Sequence, residues 1–238
     1  MRQSVNLLLV ALFLPVLAYA ETHTVDSLAD DGTGSLREAL GVAETGDTID
    51  FDTDLSGKTI LLTSGPLSIR FGVTIDASAL PEGISVSPDP SSLPLSPLIA
   101  ISSSDPVVLD TLTLSGARAA KRSSNAKGPS GGAMTVSSGS DVTLRRCLVL
   151  DNQAGEGGNE TDPSKVPGVG GEGGGIYAYY ATLTLEECLI EGNRSGEAGR
   201  HFGAQRDGSS GQGGGLYAGN STVTIRDSII RNNHTPDG

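Results

Sequence analysis

Residues 131–152 read GGAMTVSSGSDVTLRRCLVLDN, residues 173–193 read GGGIYAYYATLTLEECLIEGN, and residues 213–233 read GGGLYAGNSTVTIRDSIIRNN. A glycine entry, two short alternating runs and a closing Asn return about every 40 residues. Alternation of apolar and polar residues is the period of a strand, not of a helix. A unit of two or three short strands cannot bury its apolar face alone, so copies must stack on one another. The expected fold is all-β: a right-handed parallel β-helix, a solenoid of coils, with a short N-terminal capping helix.

Alternation also assigns the inside. Val142, Leu144, Cys147 and Val149 align with Leu183, Leu185, Cys188 and Ile190, and then with Val223, Ile225, Ser228 and Ile230. These face inward, while Thr143, Thr184 and Thr224 face out. With coils about 4.8 Å apart, each inward residue packs on its equivalents above and below. Asn152, Asn193 and Asn233 fall at one corner and read as a structural Asn ladder, tolerant of left-handed backbone and bonding neighbouring turns. A polar row for a ligand is the alternative. Cys147 and Cys188 share a register on adjacent coils, within disulfide reach. They read as an inter-coil disulfide, with two stacked buried thiols as the alternative.

Upstream, residues 21–48 read as an N-terminal cap. A strand centred on Thr24 and Val25 is followed by a turn at 30–34. Ser35 and Glu38 then form a capping box, and Leu36, Ala39, Leu40 and Ala43 recur at helical spacing. Residues 49–238 form the coils. Loop insertions are expected at about 80–95, 117–130, 153–172 and 194–212. The last two follow the Asn corner and should project from one side. They are glycine-rich, which leaves them as either binding loops or slack chain.

The first 20 residues carry Arg2, an apolar run from Val5 to Ala18, and Ala18-Tyr19-Ala20 before Glu21. This is the pattern of a signal peptide, so the protein is expected to be exported, to the cell surface, the extracellular space or the periplasm. No later segment is long and apolar enough to span a membrane as a helix. The net charge is -12, which disfavours nucleic acid as a partner. The chain stops at Pro236-Asp237-Gly238 soon after a strand, so a missing C-terminal region or anchor, or a partner over the last coil, is expected.

Two further groups of motifs resemble a known group. Gly34-Ser35-Leu36-Arg37-Glu38-Ala39, followed by Gly46-Asp47-Thr48-Ile49-Asp50-Phe51, resembles the CSLREA-type cap of exported bacterial β-helix proteins, with Gly34 where the name has Cys. The repeats resemble the polymorphic outer membrane protein type, which pairs a GGA[ILV] element with an FxxN element. Gly131-Gly132-Ala133-Met134, Gly173-Gly174-Gly175-Ile176 and Gly213-Gly214-Gly215-Leu216 match the first. Val149-Leu150-Asp151-Asn152 and Ile190-Glu191-Gly192-Asn193 match the second, with Val or Ile for Phe. The resemblance implies a pectin-lyase-like fold and a secreted or cell-surface protein, structural or adhesive, contacting glycans or the proteins of a host or neighbouring cell.

No catalytic activity is expected: Arg145 and Arg226 beside Glu186 are the best constellation for the alternative, a polysaccharide lyase or glycoside hydrolase, but cross-coil ion pairing is the favoured reading of them. Asp50, Asp52 and Asp54 alternate as outward strand residues would. Tyr179 and Tyr180, together with Arg200, His201 and Arg206 on the last insertion, are candidate binding residues. Tyr177 and Tyr217 share a register and read as a stacked pair. No cofactor is implied, and Ca²⁺ is the only metal that the acids suggest.

Overall fold

The computed structural model describes residues 19–92, 94–202 and 207–237. The signal-peptide reading, apart from Tyr19 and Ala20, and the candidate Arg206 lie outside these. The chain winds as a right-handed parallel β-helix with three sheets. The first sheet stacks β1 (Thr22–Val25), β2 (Thr48–Phe51), β5 (Thr74–Asp76), β8 (Val107–Asp110), β11 (Asp141–Arg145), β14 (Thr182–Glu186) and β17 (Thr222–Arg226). The second stacks β3 (Thr59–Leu62), β6 (Ile84–Pro88), β9 (Leu112–Ser115), β12 (Leu148–Leu150), β15 (Leu189–Glu191) and β18 (Ile229–Arg231). The third stacks β4 (Leu67–Ile69), β7 (Ile99–Ile101), β10 (Met134–Val136), β13 (Ile176–Tyr179) and β16 (Leu216–Gly219). From β2 onward the chain visits first, second and third sheet in strict rotation, and every pairing is parallel.

The inward residues form continuous ladders. Ile49, Ile75, Leu109, Leu144 and Leu185 stack in register and are fully buried, and Ile225 continues the row. Ile60, Val86, Leu114, Val149 and Ile190 do the same in the second sheet. Burying one such side chain stabilises by about 2 kcal/mol. On the last coil Ile225 and Ile230 are 48% and 42% exposed, since among the described residues no strand stacks beyond them.

The cap forms as its residues require. Helix α1 spans Leu36–Val42, and the Ser35 hydroxyl accepts from the Glu38 amide at 3.1 Å. The Glu38 carboxylate reaches back to accept from the Gly34 amide, one residue beyond the usual reciprocal partner, the N-cap amide of Ser35. Leu36, Ala39 and Leu40 pack against β1, β2 and β4, closing the apolar end of the first coil.

Several expectations need correction. Residues 80–95 are not one loop, because β6 lies inside them. Ile84 and Val86 alternate with Ser85 and Ser87, and the two apolar side chains are buried. Of the three alternating acids, only Asp50 is on a strand. Asp52 caps a 3₁₀ turn over Thr53–Leu55, its carboxylate accepting from the Asp54 amide. At the Asn corner the left-handed residues are Asp151, Gly192 and Asn232, each directly before the Asn.

The glycine-rich insertions are not slack. Each leaves the second sheet, runs out, and returns to the third, and the strands of chain lock together through backbone hydrogen bonds at every third residue. Outgoing segments pair in parallel: Ala154, Gly157 and Glu160 donate to the carbonyls of Arg194, Glu197 and Arg200. Returning segments do likewise, Gly128 and Gly131 to Val169 and Glu172, and Gly170 and Gly173 to Ser209 and Gln212. The two layers bond in antiparallel sense, Gly168 to Gly158 and Gly171 to Gly155, then Gly196 to Gly171 and Gly199 to Gly168. A three-residue period with no bonds inside a segment is that of polyproline II helices. At Gly158 and Gly168 glycine is required for space, not for a left-handed φ. A Cβ on Gly168 would overlap the Ala126 carbonyl oxygen, and one on Gly158 would overlap that of Ser124.

Candidate functional site

The parallel register carries each outward residue into a row along the solenoid. On the first sheet Thr22, Thr48, Thr74, Val108, Thr143, Thr184 and Thr224 form one row. Two residues further along the strands, Asp50, Asp76 and Asp110 follow in turn, and then Arg145, Glu186 and Arg226. Arg145 Nε lies 3.2 Å from one Glu186 oxygen, and Arg226 Nη1 lies 3.1 Å from the other. One carboxylate thus answers two guanidiniums across three coils. Such half-exposed pairs contribute little each. Arg146 reaches the nearly buried carboxylate of Asp110 with both oxygens at 2.6 Å. Asp76 and Asp110 went unseen in the sequence because coil length varies upstream. The repeated Thr48-Ile49-Asp50 and Thr74-Ile75-Asp76 is the signal that locates that row.

Cys147 and Cys188 are register-equivalent but free. The expected disulfide is not formed in this structure: Cys147 Sγ donates to the Leu109 carbonyl at 3.3 Å and Cys188 Sγ to that of Leu144 at 3.4 Å. Contact with Cys188, then burial, pushes the Cys147 thiol well up from its ordinary value. The three asparagines knit the adjoining corner. Asn193 Oδ1 accepts from the backbone and side-chain amides of Asn152, both at 3.0 Å. Asn193 Nδ2 donates to Val149, Glu191 and Asn233 Oδ1. Asn152 and Asn193 are fully buried and face no solvent.

The tyrosines are gathered on the outside of the third sheet. Tyr177 and Tyr217 are direct register partners, their rings stacked with centroids 5.4 Å apart and planes 4° from parallel. Tyr179 stacks on Tyr177 at 6.1 Å, and Tyr180 meets Tyr179 edge-on at 4.6 Å. Gly219 makes the arrangement possible, since a Cβ there would stand 2.7 Å from the Tyr179 ring and 2.9 Å from Tyr217. Lys127 Nζ, from the insertion at 117–130, sits 6.0 Å from the Tyr177 ring centre. Tyr179 and Tyr180 remain 39% and 53% exposed. Large aromatic rings so placed offer flat apolar surface with a polar tip.

Beside Tyr180 lies a cleft of about 280 Å³ lined by Gly139, Ser140, Asp141, Tyr180, Ala181, Thr182, Asn220 and Thr222. Arg200 belongs elsewhere. With Arg194, Glu197, Asp207 and His234 it lines a hollow of about 410 Å³ at the last insertion. His201 is tied down there, its Nε2 3.0 Å from the Asp162 carbonyl and its amide bonded to Asp207. The structure therefore separates the candidate tyrosines from Arg200 and His201. Among the described residues no three of His, Cys, Asp and Glu group to hold a metal ion, and no helix is long and apolar enough to cross a membrane.

Comparison with family models gives no match, and comparison with curated proteins gives none either.

Proposed function

We propose that this chain is an exported surface module that binds glycans and leaves them intact. The observation that carries the reading is the group formed by Tyr177, Tyr179, Tyr180 and Tyr217. Four of the chain's five tyrosines stand together, ordered by one another and by Gly219, with two of them well exposed. Exposed aromatics held without conformational slack are economical contact surface, because little side-chain entropy is lost on binding. The CSLREA-like cap and the outer-membrane-protein-like repeats support placing the chain on or outside a cell. The negative net charge supports an uncharged or cationic partner.

A second reading is a polysaccharide-active enzyme. It is favoured by one observation, the register row Asp50, Asp76 and Asp110 running into Arg145. Aligned carboxylates on one face are what hydrolysis of a glycosidic bond requires.

One experiment separates the two. The purified chain is passed over immobilised polysaccharides with and without Ca²⁺, and both retention and new reducing ends are recorded. Retention with no new ends is expected. New ends would install the enzyme reading in its place, and no retention on any polymer would remove the glycan reading.

A further inference from the structure

We infer that the cleft beside Tyr180 is a subsite for a single pyranose ring of an uncharged glycan. The inference rests on the glycan-binding reading and specifies it.

The cleft is built from two rows across three coils. Gly139, Tyr180 and Asn220 form the corner row, all with positive φ, at 83°, 51° and 50°. Asp141, Thr182 and Thr222 form the strand row in direct register. On these three coils the corner takes left-handed backbone. Glycine and asparagine suit that conformation, and tyrosine does not. Tyr180 thus stands in strained backbone with its ring largely in solvent. Left-handed residues recur at the corners of this solenoid, as at Arg146, Glu187 and Asp227, but Tyr180 is the aromatic among them, and its exposed ring borders the cleft.

Ser140 is the second observation. It is 2% exposed, it lines the cleft, and its hydroxyl has no hydrogen-bond partner. Its register equivalents behave differently. Ala181 has no hydroxyl, and Ser221 Oγ is satisfied, accepting from the Ala181 amide at 3.0 Å and donating to the Gly219 carbonyl at 3.0 Å. A buried hydroxyl without a partner costs stability unless something arrives to satisfy it. A rotation of the side chain towards the cleft would present it to a sugar hydroxyl, as donor or acceptor.

The remaining groups set the ligand class. The Tyr180 ring offers a flat face to a pyranose, while Asp141, Asn220, Thr182 and Thr222 offer acceptors and donors around it. A carboxylate at the mouth repels a uronate, and a small cleft admits one ring, leaving the rest of the polymer to Tyr177, Tyr179 and Tyr217.

The test measures affinity of the full chain for a soluble glucan, mannan, galactan and polygalacturonate, in the native sequence, Tyr180→Asn and Ser140→Ala. Asn already stands at this corner as Asn220, so Tyr180→Asn keeps the backbone. The native chain is expected to bind at least one neutral polymer and to bind polygalacturonate at least tenfold more weakly. Each variant is expected to lose roughly tenfold in affinity, the value of one good contact. Ser140→Ala should lose it while its Tm holds or rises, because an unsatisfied hydroxyl has been removed. A purely structural Ser140 would give the reverse, a lower Tm and unchanged affinity. Native-like affinity in both variants would overturn the subsite and leave glycan binding in place. Equal or tighter binding of polygalacturonate would overturn the uncharged class. No binding by the native chain would overturn the reading beneath both.

Discussion

Asn193 shows what one buried amide does in a stacked fold. Its oxygen holds two donors of Asn152 on the coil below, and its nitrogen holds carbonyls of its own coil and of the coil below. Replacing it with Ala would leave several buried polar groups without partners, each worth about 1–3 kcal/mol. Asn193→Ala is therefore expected to lower stability by about 3 kcal/mol or more, as read by denaturant unfolding. A loss under about 1 kcal/mol would show that water replaces the ladder. The spacing of Asn152, Asn193 and Asn233 was visible in the sequence because the repeat length is nearly constant there. The left-handed backbone was misplaced by one residue. Asp, Gly and Asn occupy the position before, and their tolerance of positive φ is a property of that row, not of the ladder. The cysteines teach the complementary point. Equal register brings two residues side by side, but each thiol settled on a carbonyl.

At the scale of elements, strands and cap follow from alternation and capping residues, while the insertions do not follow from periodicity of two or 3.6. Their period is three. Gly155 and Gly158, Gly168 and Gly171, Gly196 and Gly199, and Gly208 and Gly211 are each three apart, and each pair serves the same pattern of hydrogen bonds. Composition alone reads such chain as loose, because glycine raises unfolded entropy. Close packing of bare backbone holds it fixed instead. Gly168→Ala places a methyl group against the Ala126 carbonyl and the Gly158 amide. Hydrogen exchange should then accelerate across 126–131 and 155–171 and stay slow in β11 and β14. Unchanged protection of the insertions would contradict the lattice.

The cap has its own chemical signature. Amides of Glu21 and Glu44, then the His23 ring, hold the Asp47 carboxyl at about 2, against an ordinary value of 3.8. Partial burial would raise Asp30, but hydrogen bonds from Ser64, Arg37 and Thr63 outweigh it and hold it well below the usual range. Both carboxyls are depressed by folding. Their stabilisation is complete above pH 3.8 and is lost as pH falls through the folded values. The Tm should therefore fall between about pH 5 and pH 2, and less steeply in Asp47→Asn. An equal slope in the variant would remove Asp47 from the account.

For the molecule as a whole, the solenoid converts a pattern along the chain into rows along an axis. Rows inside make the core, and rows outside make whatever the protein presents. The threonine row and the tyrosine group were legible where the repeats are regular. The row of Asp50, Asp76 and Asp110 was not, because the earlier coils differ in length and the register must be seen to be counted. The separation of Tyr180 from Arg200 was equally hidden, since the sequence shows that the insertions leave at the Asn corner but not where their residues come to lie. The chain holds no Trp and five Tyr, four of them in the group on the third sheet. Its intrinsic fluorescence is thus a direct report from the proposed binding surface. Titration with a neutral polysaccharide that retains the protein should change tyrosine emission saturably, with the affinity seen in retention. Emission that stays flat while the protein is retained would place binding elsewhere on the molecule and contradict the account.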